Sequence, residues 1–222
     1  MPLILNIDTA TEDATISISQ NENVINFLSS NSQKDHASFL QPAIRQLLKL
    51  SDLSIAQLNA VSVTIGPGSY TGLRVGLASA KGLCYALDIP LITSGTLEVM
   101  ALSVIKLTEE PELYLYCPMI DARRMEIFTA VYDHNLNEIV TPCSMILEPV
   151  TFDKLEPEKQ IIFFGSGAKK FIDQSLRTNF KFYNSTTSTH ALATISSKKF
   201  QKKLYSNLIN TEPLYMKEFY TN

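Results

Sequence analysis

Short apolar runs, some continuous and some alternating with polar residues, fill the first thirty positions of the chain. Residues 3–7 are mostly apolar, are too few for a helix and end at Asp8, which is typical of a buried strand. Ile16 and Ile18 alternate with threonine and serine, the pattern of a half-buried strand. A polar turn at residues 21–23 leads to an apolar run at 24–28. The pattern predicts three antiparallel strands.

Helical periodicity follows this meander. Ser38 and Gln41 match a capping box, with Pro42 in the first turn of the predicted helix. A strand at residues 61–65 then leads into a second predicted helix at residues 71–87. A further strand begins after that helix, at Pro90. The apolar stripe of the first helix comprises Leu40, Ala43, Ile44, Leu47 and Leu48.

The second half of the chain repeats the first. A predicted strand at residues 113–120 ends at Asp121, and two further strands at 126–132 and 138–140 are separated by a polar turn. The order strand, aspartate, strand, turn, strand therefore occurs twice, which predicts a duplicated α/β fold.

The rest of the second half is shorter than its counterpart. A strand at residues 161–164 enters a helix through Gly165-Ser166-Gly167-Ala168, and helical sequence resumes at 190–203. We place an N-terminal lobe at residues 1–108 and a reduced C-terminal lobe at 109–222, each with a mixed sheet flanked by helices. The tail after residue 205 has two open placements, on the first lobe or on the second.

The motif Gly66-Pro67-Gly68-Ser69-Tyr70-Thr71-Gly72-Leu73-Arg74 lies between a predicted strand and a predicted helix. It lacks the Lys-Ser/Thr pair of a Walker A loop, misses GxGxxG by one residue, and does not centre Ser69 in GxSxG. Two interpretations are open. The glycines either form a tight strand-to-helix turn or bind an anion at the helix N-terminus.

Small residues recur along the helix that follows. Gly72, Gly76 and Ala80 share one face, and glycine inside a helix costs about 1 kcal/mol relative to alanine. Close approach of another helix explains them, and that helix is either internal or on another subunit. We predict a partner interface comprising Gly68, Thr71, Gly72, Arg74, Val75, Gly76, Ser79, Ala80 and Leu83.

The run Asp8-Thr9-Ala10-Thr11 is similar to the Asp-x-Gly-Thr hairpin that holds phosphate in the actin-like ATPase and sugar-kinase superfamily. Here Ala10 replaces the glycine, and Glu12 and Asp13 add negative charge that opposes a phosphate. A polar turn is the favoured interpretation. The weak candidates for binding a nucleotide are Asp8, Thr11, Gly165 and Gly167.

Composition narrows the class of protein. Apolar residues make up 45% and charged residues 18% of the chain, against about 25% charged in typical soluble proteins, which hints at a surface covered by a partner. No apolar stretch is long enough to span a bilayer, and no signal peptide is expected. Three scattered cysteines indicate buried free thiols in the cytoplasm.

Charge and histidines add two expectations. Residues 1–153 carry a net charge of −9 and residues 154–222 one of +6, so the basic end is a candidate nucleic-acid surface. Its densest run, Lys198-Lys199-Phe200-Gln201-Lys202-Lys203, either contacts phosphates or is a solvated helix face.

His36, His134 and His190 match no metal motif and are expected to be exposed or capping. We therefore expect no metal site.

Five motifs together closely resemble the bacterial TsaB (YeaZ) family. The resemblance covers residues 1–132 well and the remainder loosely, through residues 165–168 and 213–216. The motifs are Ile7-Asp8-Thr9-Ala10-Thr11, His36-Ala37-Ser38-Phe39-Leu40-Gln41-Pro42, the glycine motif continued through Val75-Gly76, Asp88-Ile89-Pro90-Leu91 and Asp121-Ala122-Arg123-Arg124.

The resemblance implies an actin-like, RNase H-like duplicated fold. It implies a non-catalytic scaffold subunit for the transfer of threonylcarbamoyl to N6 of adenosine 37, beside the anticodon of tRNAs reading ANN codons. A TsaD-type subunit would carry the metal and the transferase activity, and a TsaE-type ATPase would dock on the pair. The chain itself would need no cofactor, would reach tRNA through the complex and would form a homodimer when alone.

The resemblance also explains why metal is not expected here. The two metal histidines of TsaD correspond to Thr96 and Met100 in this chain, and neither side chain replaces an imidazole. The alternative function is a stand-alone ATP-dependent small-molecule kinase or hydrolase of the actin-like superfamily.

Overall fold

The structure is a computed structural model that describes residues 1–30, 36–152, 155, 159–172, 180–183 and 189–217. It divides into two units. Unit 1 comprises Met1–Thr96 and Ser188–Leu214, and unit 2 comprises Leu97–Thr187 and Tyr215–Asn222.

This division corrects the predicted boundary at residue 108. The helix that follows the first sheet packs its apolar side chains, among them Leu97 and Val104, against Tyr116 and Phe164 of the second sheet. The segment Ser188–Leu214 belongs to unit 1, where Ser206 N donates to Leu91 O and Leu214 N donates to Ile65 O. The returning segment is therefore longer than the predicted tail after residue 205.

The first sheet has five strands in the order β3-β2-β1-β4-β5. The first three form the predicted antiparallel meander, and β4 and β5 add in parallel. The strands are β1 (Leu3–Asp8), β2 (Ala14–Gln20), β3 (Asn23–Ser30), β4 (Ala60–Thr64) and β5 (Leu91–Ser94).

The second sheet has the matching order β10-β9-β6-β7-β8. Again the first three strands in sequence are antiparallel and the last two are parallel additions, so the predicted duplication is confirmed. The strands are β6 (Tyr114–Asp121), β7 (Glu126–Tyr132), β8 (Glu138–Ile146), β9 (Gln160–Phe164) and β10 (Phe180–Tyr183).

Helices cover both faces of the first sheet. Leu5 and Ile7 of β1 point to one face, where they join the core formed with α1 (His36–Leu50) and α2 (Tyr70–Leu87). On the other face Ser196 of α5 (Thr189–Gln201) donates to the side-chain carbonyl of Asn6 at 2.6 Å. Alternation along β1 thus sets which helices each face binds.

The start of α1 differs from the prediction. Ser38 and Pro42 both lie inside the helix, which is described from His36, so Ser38 is not its N-cap and Pro42 lies beyond its first turn. The predicted apolar stripe is confirmed, because Leu40, Ala43, Ile44, Leu47 and Leu48 are all buried.

Unit 2 has two apolar cores, one on each face of its sheet. The first core includes α3 (Thr96–Ile105), and the second includes Phe171 of α4 (Ala168–Ile172). Phe152, Phe163 and Phe171 pack together there with ring centroids about 5 Å apart, a separation at which aromatic pairs stabilise each other. No helix within the described part of the chain is long and apolar enough to cross a membrane.

The small-residue face of α2 is internal. Gly72, Gly76 and Ala80 are buried within the chain, and a Cβ added to Gly76 would overlap Thr9 Oγ1 and contact Val63 and Ile7. These residues do allow a close approach, as predicted. The element that approaches α2 is the chain's own sheet with its first hairpin, not another helix. The prediction that these three residues face another subunit is therefore wrong.

A matched pair of substitutions in α2 tests this packing. Gly76→Ala should lower the free energy of unfolding by about 1–3 kcal/mol, because Thr9 Oγ1 must move and lose its hydrogen bond to Gly72 O. Gly82→Ala should raise it by up to about 1 kcal/mol, because no atom lies within 4 Å of the added carbon. Urea unfolding of the lone chain measures both. Equal effects of the two substitutions would contradict the internal placement.

Candidate functional site

The hairpin that joins β1 to β2 begins with a buried carboxylate. Asp8 is 2% exposed, and its Oδ1 accepts hydrogen bonds from Ala10 N at 3.1 Å and Thr64 Oγ1 at 2.8 Å. Burial raises the pKa of Asp8, and the two hydrogen bonds and the nearby His36 offset only part of that rise. The carboxylate is thus held by the hairpin and β4 in an environment that disfavours its charge.

The loop of residues 66–72, here called the glycine loop, lies directly on this hairpin. Ser69 N donates to Ala10 O at 2.7 Å, and Thr9 Oγ1 donates to Gly72 O at 2.7 Å. A Cβ on Gly68 would overlap Ala10 O, and one on Gly72 would overlap Thr9 O. Of the two interpretations left open by the sequence, the close backbone packing accounts for these glycines.

The N-terminus of α2 is closed by its own chain. Ser69 is the N-cap, and its Oγ accepts a hydrogen bond from Gly72 N at 3.3 Å. Among the other candidate residues of this hairpin, Thr11 Oγ1 donates to Asp13 O at 3.4 Å. Ser69 Oγ, Gly72 N and Thr11 Oγ1 are therefore engaged within the chain.

His36 is buried, which corrects the expectation that it is exposed or capping. Its Nε2 lies 3.1 Å from Glu12 O, and its Nδ1 has no partner within the described part of the chain. The side chain lies beside Gly72, whose added Cβ would be 3.0 Å from Nδ1. No local pattern in the sequence predicted this burial, because it depends on Glu12 and Gly72, which are distant from His36 along the chain.

A second hairpin, Asp121 to Glu126, occupies the matching position in unit 2. Gly167 N donates to Met119 O at 2.9 Å, and Ser166 Oγ accepts from Asp121 N at 3.0 Å. Gly165 has a φ of 93°, and an added Cβ there would overlap Met119 O. Gly165 and Gly167 are thus packing residues of unit 2 in the described structure.

The outward side of α2 holds the remaining predicted interface residues except Gly68, which precedes the helix and packs against Ala10. Thr71 and Arg74 are exposed, and the Arg74 guanidinium lies 3.9 Å from the centre of the Tyr70 ring. Gly68, Val75, Ser79 and Leu83 are half-buried. Sequence reasoning missed a second small-residue series on this side, Ala78, Gly82 and Ala86, beside Tyr85, which is 82% exposed.

Thr96 and Met100, which the resemblance implies stand where TsaD has metal histidines, lie at the start and middle of α3. Thr96 begins α3 and is fully buried, and Met100 lies in the apolar core of unit 2. Within the described ranges, no three His, Cys, Asp or Glu side chains come together as a metal-binding group. Cys84 and Cys117 are buried free thiols as predicted, whereas Cys143 is half-buried.

The lysine-rich end of α5 is partly structural. Lys199 Nζ donates to Thr93 O at 3.0 Å, and Phe200 packs against Ile4, Ala60 and Ile92. Phe200 therefore cannot stack on a base without leaving the core. Lys198 is exposed on α5, and Lys202 and Lys203 are exposed just beyond the end of the helix at Gln201.

Comparison with known proteins gives one consistent family. The family model described as "TsaD: tRNA N6-adenosine threonylcarbamoyltransferase" matches residues 24–221. The tRNA threonylcarbamoyladenosine biosynthesis protein TsaB of Bacillus subtilis is 31% identical over 181 residues, which is 79% of this chain and 77% of that protein. The protein of the same name from Buchnera aphidicola subsp. Baizongia pistaciae is 27% identical over 229 residues, covering 97% and 98%.

A solved structure supports the fold. YeaZ from Pseudomonas aeruginosa superposes with a TM-score of 0.82 at 19% identity, covering 97% of this chain and 100% of that one. The two-lobed duplicated fold expected from the resemblance is confirmed. The chain therefore belongs to the family of tRNA N6-adenosine threonylcarbamoyltransferase TsaD, and within it to the TsaB (YeaZ) branch.

Proposed function

We propose that this chain is a non-catalytic scaffold subunit in the biosynthesis of threonylcarbamoyladenosine at position 37 of tRNAs reading ANN codons. It pairs with a TsaD-type subunit that carries the metal and the transferase activity. A TsaE-type ATPase docks on the pair, and tRNA is reached through the complex.

The observation that carries this proposal is the closure of the first hairpin by the glycine loop. In the actin-like superfamily this hairpin holds phosphate, but here Ala10 O accepts the Ser69 N–H and Gly68 is too close to admit even a Cβ. Glu12 and Asp13 add like charge beside the position that a phosphate would take. These features oppose the alternative of a stand-alone kinase or hydrolase, and relatives named for threonylcarbamoyladenosine biosynthesis support the scaffold role.

The outward side of α2 is the surface that fits a partner subunit. Between Val75 and Leu87 the only charged side chain is Lys81, and its ammonium donates to the carbonyls of Ile209 and Thr211. Small residues every four positions allow another helix to approach closely, and the exposed Tyr85 offers a large apolar contact. The predicted interface is therefore kept at Thr71, Arg74, Val75, Ser79 and Leu83 and is extended to Ala78, Gly82, Tyr85 and Ala86.

The same surface explains the expected self-association. When no TsaD-type subunit is present, two copies of the chain cover the apolar side of α2 by pairing through it. Addition of the TsaD-type subunit replaces one copy: the TsaD family model matches residues 24–221 of this chain, so an equivalent helix is expected in that related subunit.

Reconstitution tests the function. Threonylcarbamoyladenosine should form in a tRNA transcript only when this chain is combined with TsaD-type and TsaE-type subunits from the same organism, as measured by mass spectrometry of the digested nucleosides. The lone chain should neither hydrolyse ATP nor modify the tRNA. Full modification without this chain would end the scaffold proposal, and ATP turnover by the lone chain would support the alternative.

Gly82→Leu tests the interface. Because nothing lies within 4 Å of a Cβ at Gly82, the variant should fold normally, yet its added atoms should crowd a closely packed partner. Overpacking costs about 1–3 kcal/mol, so affinity for the TsaD-type subunit should fall about 5- to 150-fold. Calorimetric titration measures this loss, and Lys198→Leu on α5 is the control. Unchanged affinity for Gly82→Leu would show that the partner binds elsewhere.

Asp8→Asn tests the role of the buried carboxylate. Because the folded pKa of Asp8 is raised above its ordinary value of 3.8, the folded chain holds this proton to higher pH than the unfolded chain. The carboxyl group therefore contributes less to the free energy of unfolding as pH rises from its unfolded pKa to its folded pKa. The free energy of unfolding of the variant, relative to wild type, should therefore grow as pH rises above the ordinary Asp8 pKa of 3.8.

The second measurement on Asp8→Asn is tRNA modification in the reconstituted complex. A scaffold does not need this carboxylate, so the variant should support modification in the reconstituted complex, whereas loss of modification by a folded and paired variant would assign Asp8 a direct role. Urea unfolding at several pH values and the nucleoside assay provide the two readouts.

A further inference from the structure

The hairpin between β6 and β7, residues 121–126, carries four charged side chains. Ala122 N donates to Glu126 O and Glu126 N donates to Arg123 O, each at 3.1 Å, so the turn is closed by its own backbone. Arg123 and Arg124 lie at its tip, and both are exposed.

Both carboxylates of this hairpin already have lysine partners. Lys170 Nζ lies 2.6 Å from Asp121 Oδ1, and Lys217 Nζ pairs with Glu126 Oε2. Burial would raise the pKa of Asp121, but Lys170 and the Arg123 N–H outweigh it and lower the pKa. The pKa of Glu126 is lowered first by Lys217 and then by Ser144. The acidic groups therefore stay ionised and are neutralised locally, which leaves the two arginines as excess positive charge.

The backbone presents these arginines in an uncommon conformation. Arg123 and Arg124 have φ values of 71° and 50°, a left-handed region that residues with a Cβ seldom adopt. Two consecutive arginines where glycine or asparagine would fit better indicate that the guanidinium groups themselves are needed. Neither side chain has a partner among the described residues.

The matching turn of unit 1 has the opposite character. Its residues Glu12 and Asp13 are acidic, and the glycine loop covers its backbone. The lysines of α5 differ as well, since Lys199 is bound to Thr93 O. Arg123 and Arg124 differ from these groups in three ways. They are exposed, the carboxylates beside them are paired with lysines, and their guanidinium groups have no partner among the described residues.

We propose that Arg123 and Arg124 bind the phosphate backbone of the tRNA, so that this chain contributes directly to holding the RNA. The inference rests on the proposed function, which supplies the RNA. Guanidinium groups bind phosphate oxygens in a planar, two-point geometry, and contacts to the backbone position an RNA without selecting its sequence. Lys169, which is exposed next to Lys170, provides a further cation on α4.

The test is a salt titration of RNA binding. The probe is an unmodified transcript of a tRNA that reads an ANN codon, and it is titrated by fluorescence anisotropy with the lone chain and with its complex with the TsaD-type subunit. Arg123→Gln/Arg124→Gln should weaken binding roughly ten-fold or more near 0.1 M salt. The slope of log affinity against log salt should become smaller by about 2.

Three variants control for charge and folding. Lys198→Gln/Lys202→Gln removes the same charge from α5 and should change affinity less than about two-fold, since it removes no phosphate contact. Arg123→Lys/Arg124→Lys should keep the salt slope. Arg123→Gly/Arg124→Gly fits the left-handed backbone, so it should fold at least as well as wild type and still lose RNA affinity.

Several outcomes would overturn the proposal. One is unchanged RNA affinity in the glutamine and glycine variants, and another is an equal loss of RNA affinity in the lysine control. A third is displacement of the arginine-dependent RNA binding by millimolar ATP, which would indicate a mononucleotide pocket. Failure of the proposed function is seen separately, because it would appear as absent modification with the wild-type chain. Wild-type modification with arginine-independent RNA binding would reject this inference alone.

Discussion

The backbone of the glycine loop lies against the backbone of the Asp8 hairpin, and the arrangement of unit 1 depends on that contact. Ser69 N donates to Ala10 O while Thr9 Oγ1 donates to Gly72 O, so strand β1 and the start of α2 are tied together at two points. Only glycine fits at positions 68 and 72, because a Cβ would overlap the hairpin carbonyls. The contact fixes where α2 begins, and with it which side of α2 faces the sheet and which side faces outward.

The same contact turns the Asp8 hairpin into a packing surface, and the aspartate there is buried, which raises its pKa. This closed hairpin is the basis for the proposal that the chain is a scaffold. In that proposal the outward side of α2, where Lys81 is engaged with the carbonyls of Ile209 and Thr211, is the surface for a partner.

Duplication placed two turns of different charge at matching positions. In the turn of unit 1 the backbone of Ala10 packs against the glycine loop and the acidic Glu12 is exposed. The turn of unit 2 carries Arg123 and Arg124 at an exposed tip whose carboxylates are paired with lysines. Because both turns follow the aspartate at the end of the first strand of their sheets, the fold presents the same position twice with different side chains.

Sequence by itself determined most of the strands, the duplication and the family, because alternation and turn residues are local signals and the motifs are specific. It did not predict β10 or α3. It also showed that something approaches α2 closely, since Gly72 and Gly76 cost helix stability. It could not identify the element that approaches α2. Gly76 lies against Thr9, which is far away in sequence, and a glycine indicates that space is limited without indicating which residue limits it. Burial of His36 and the ion pairs of Asp121 and Glu126 were likewise decided only by tertiary structure, because each depends on residues brought together from distant parts of the chain.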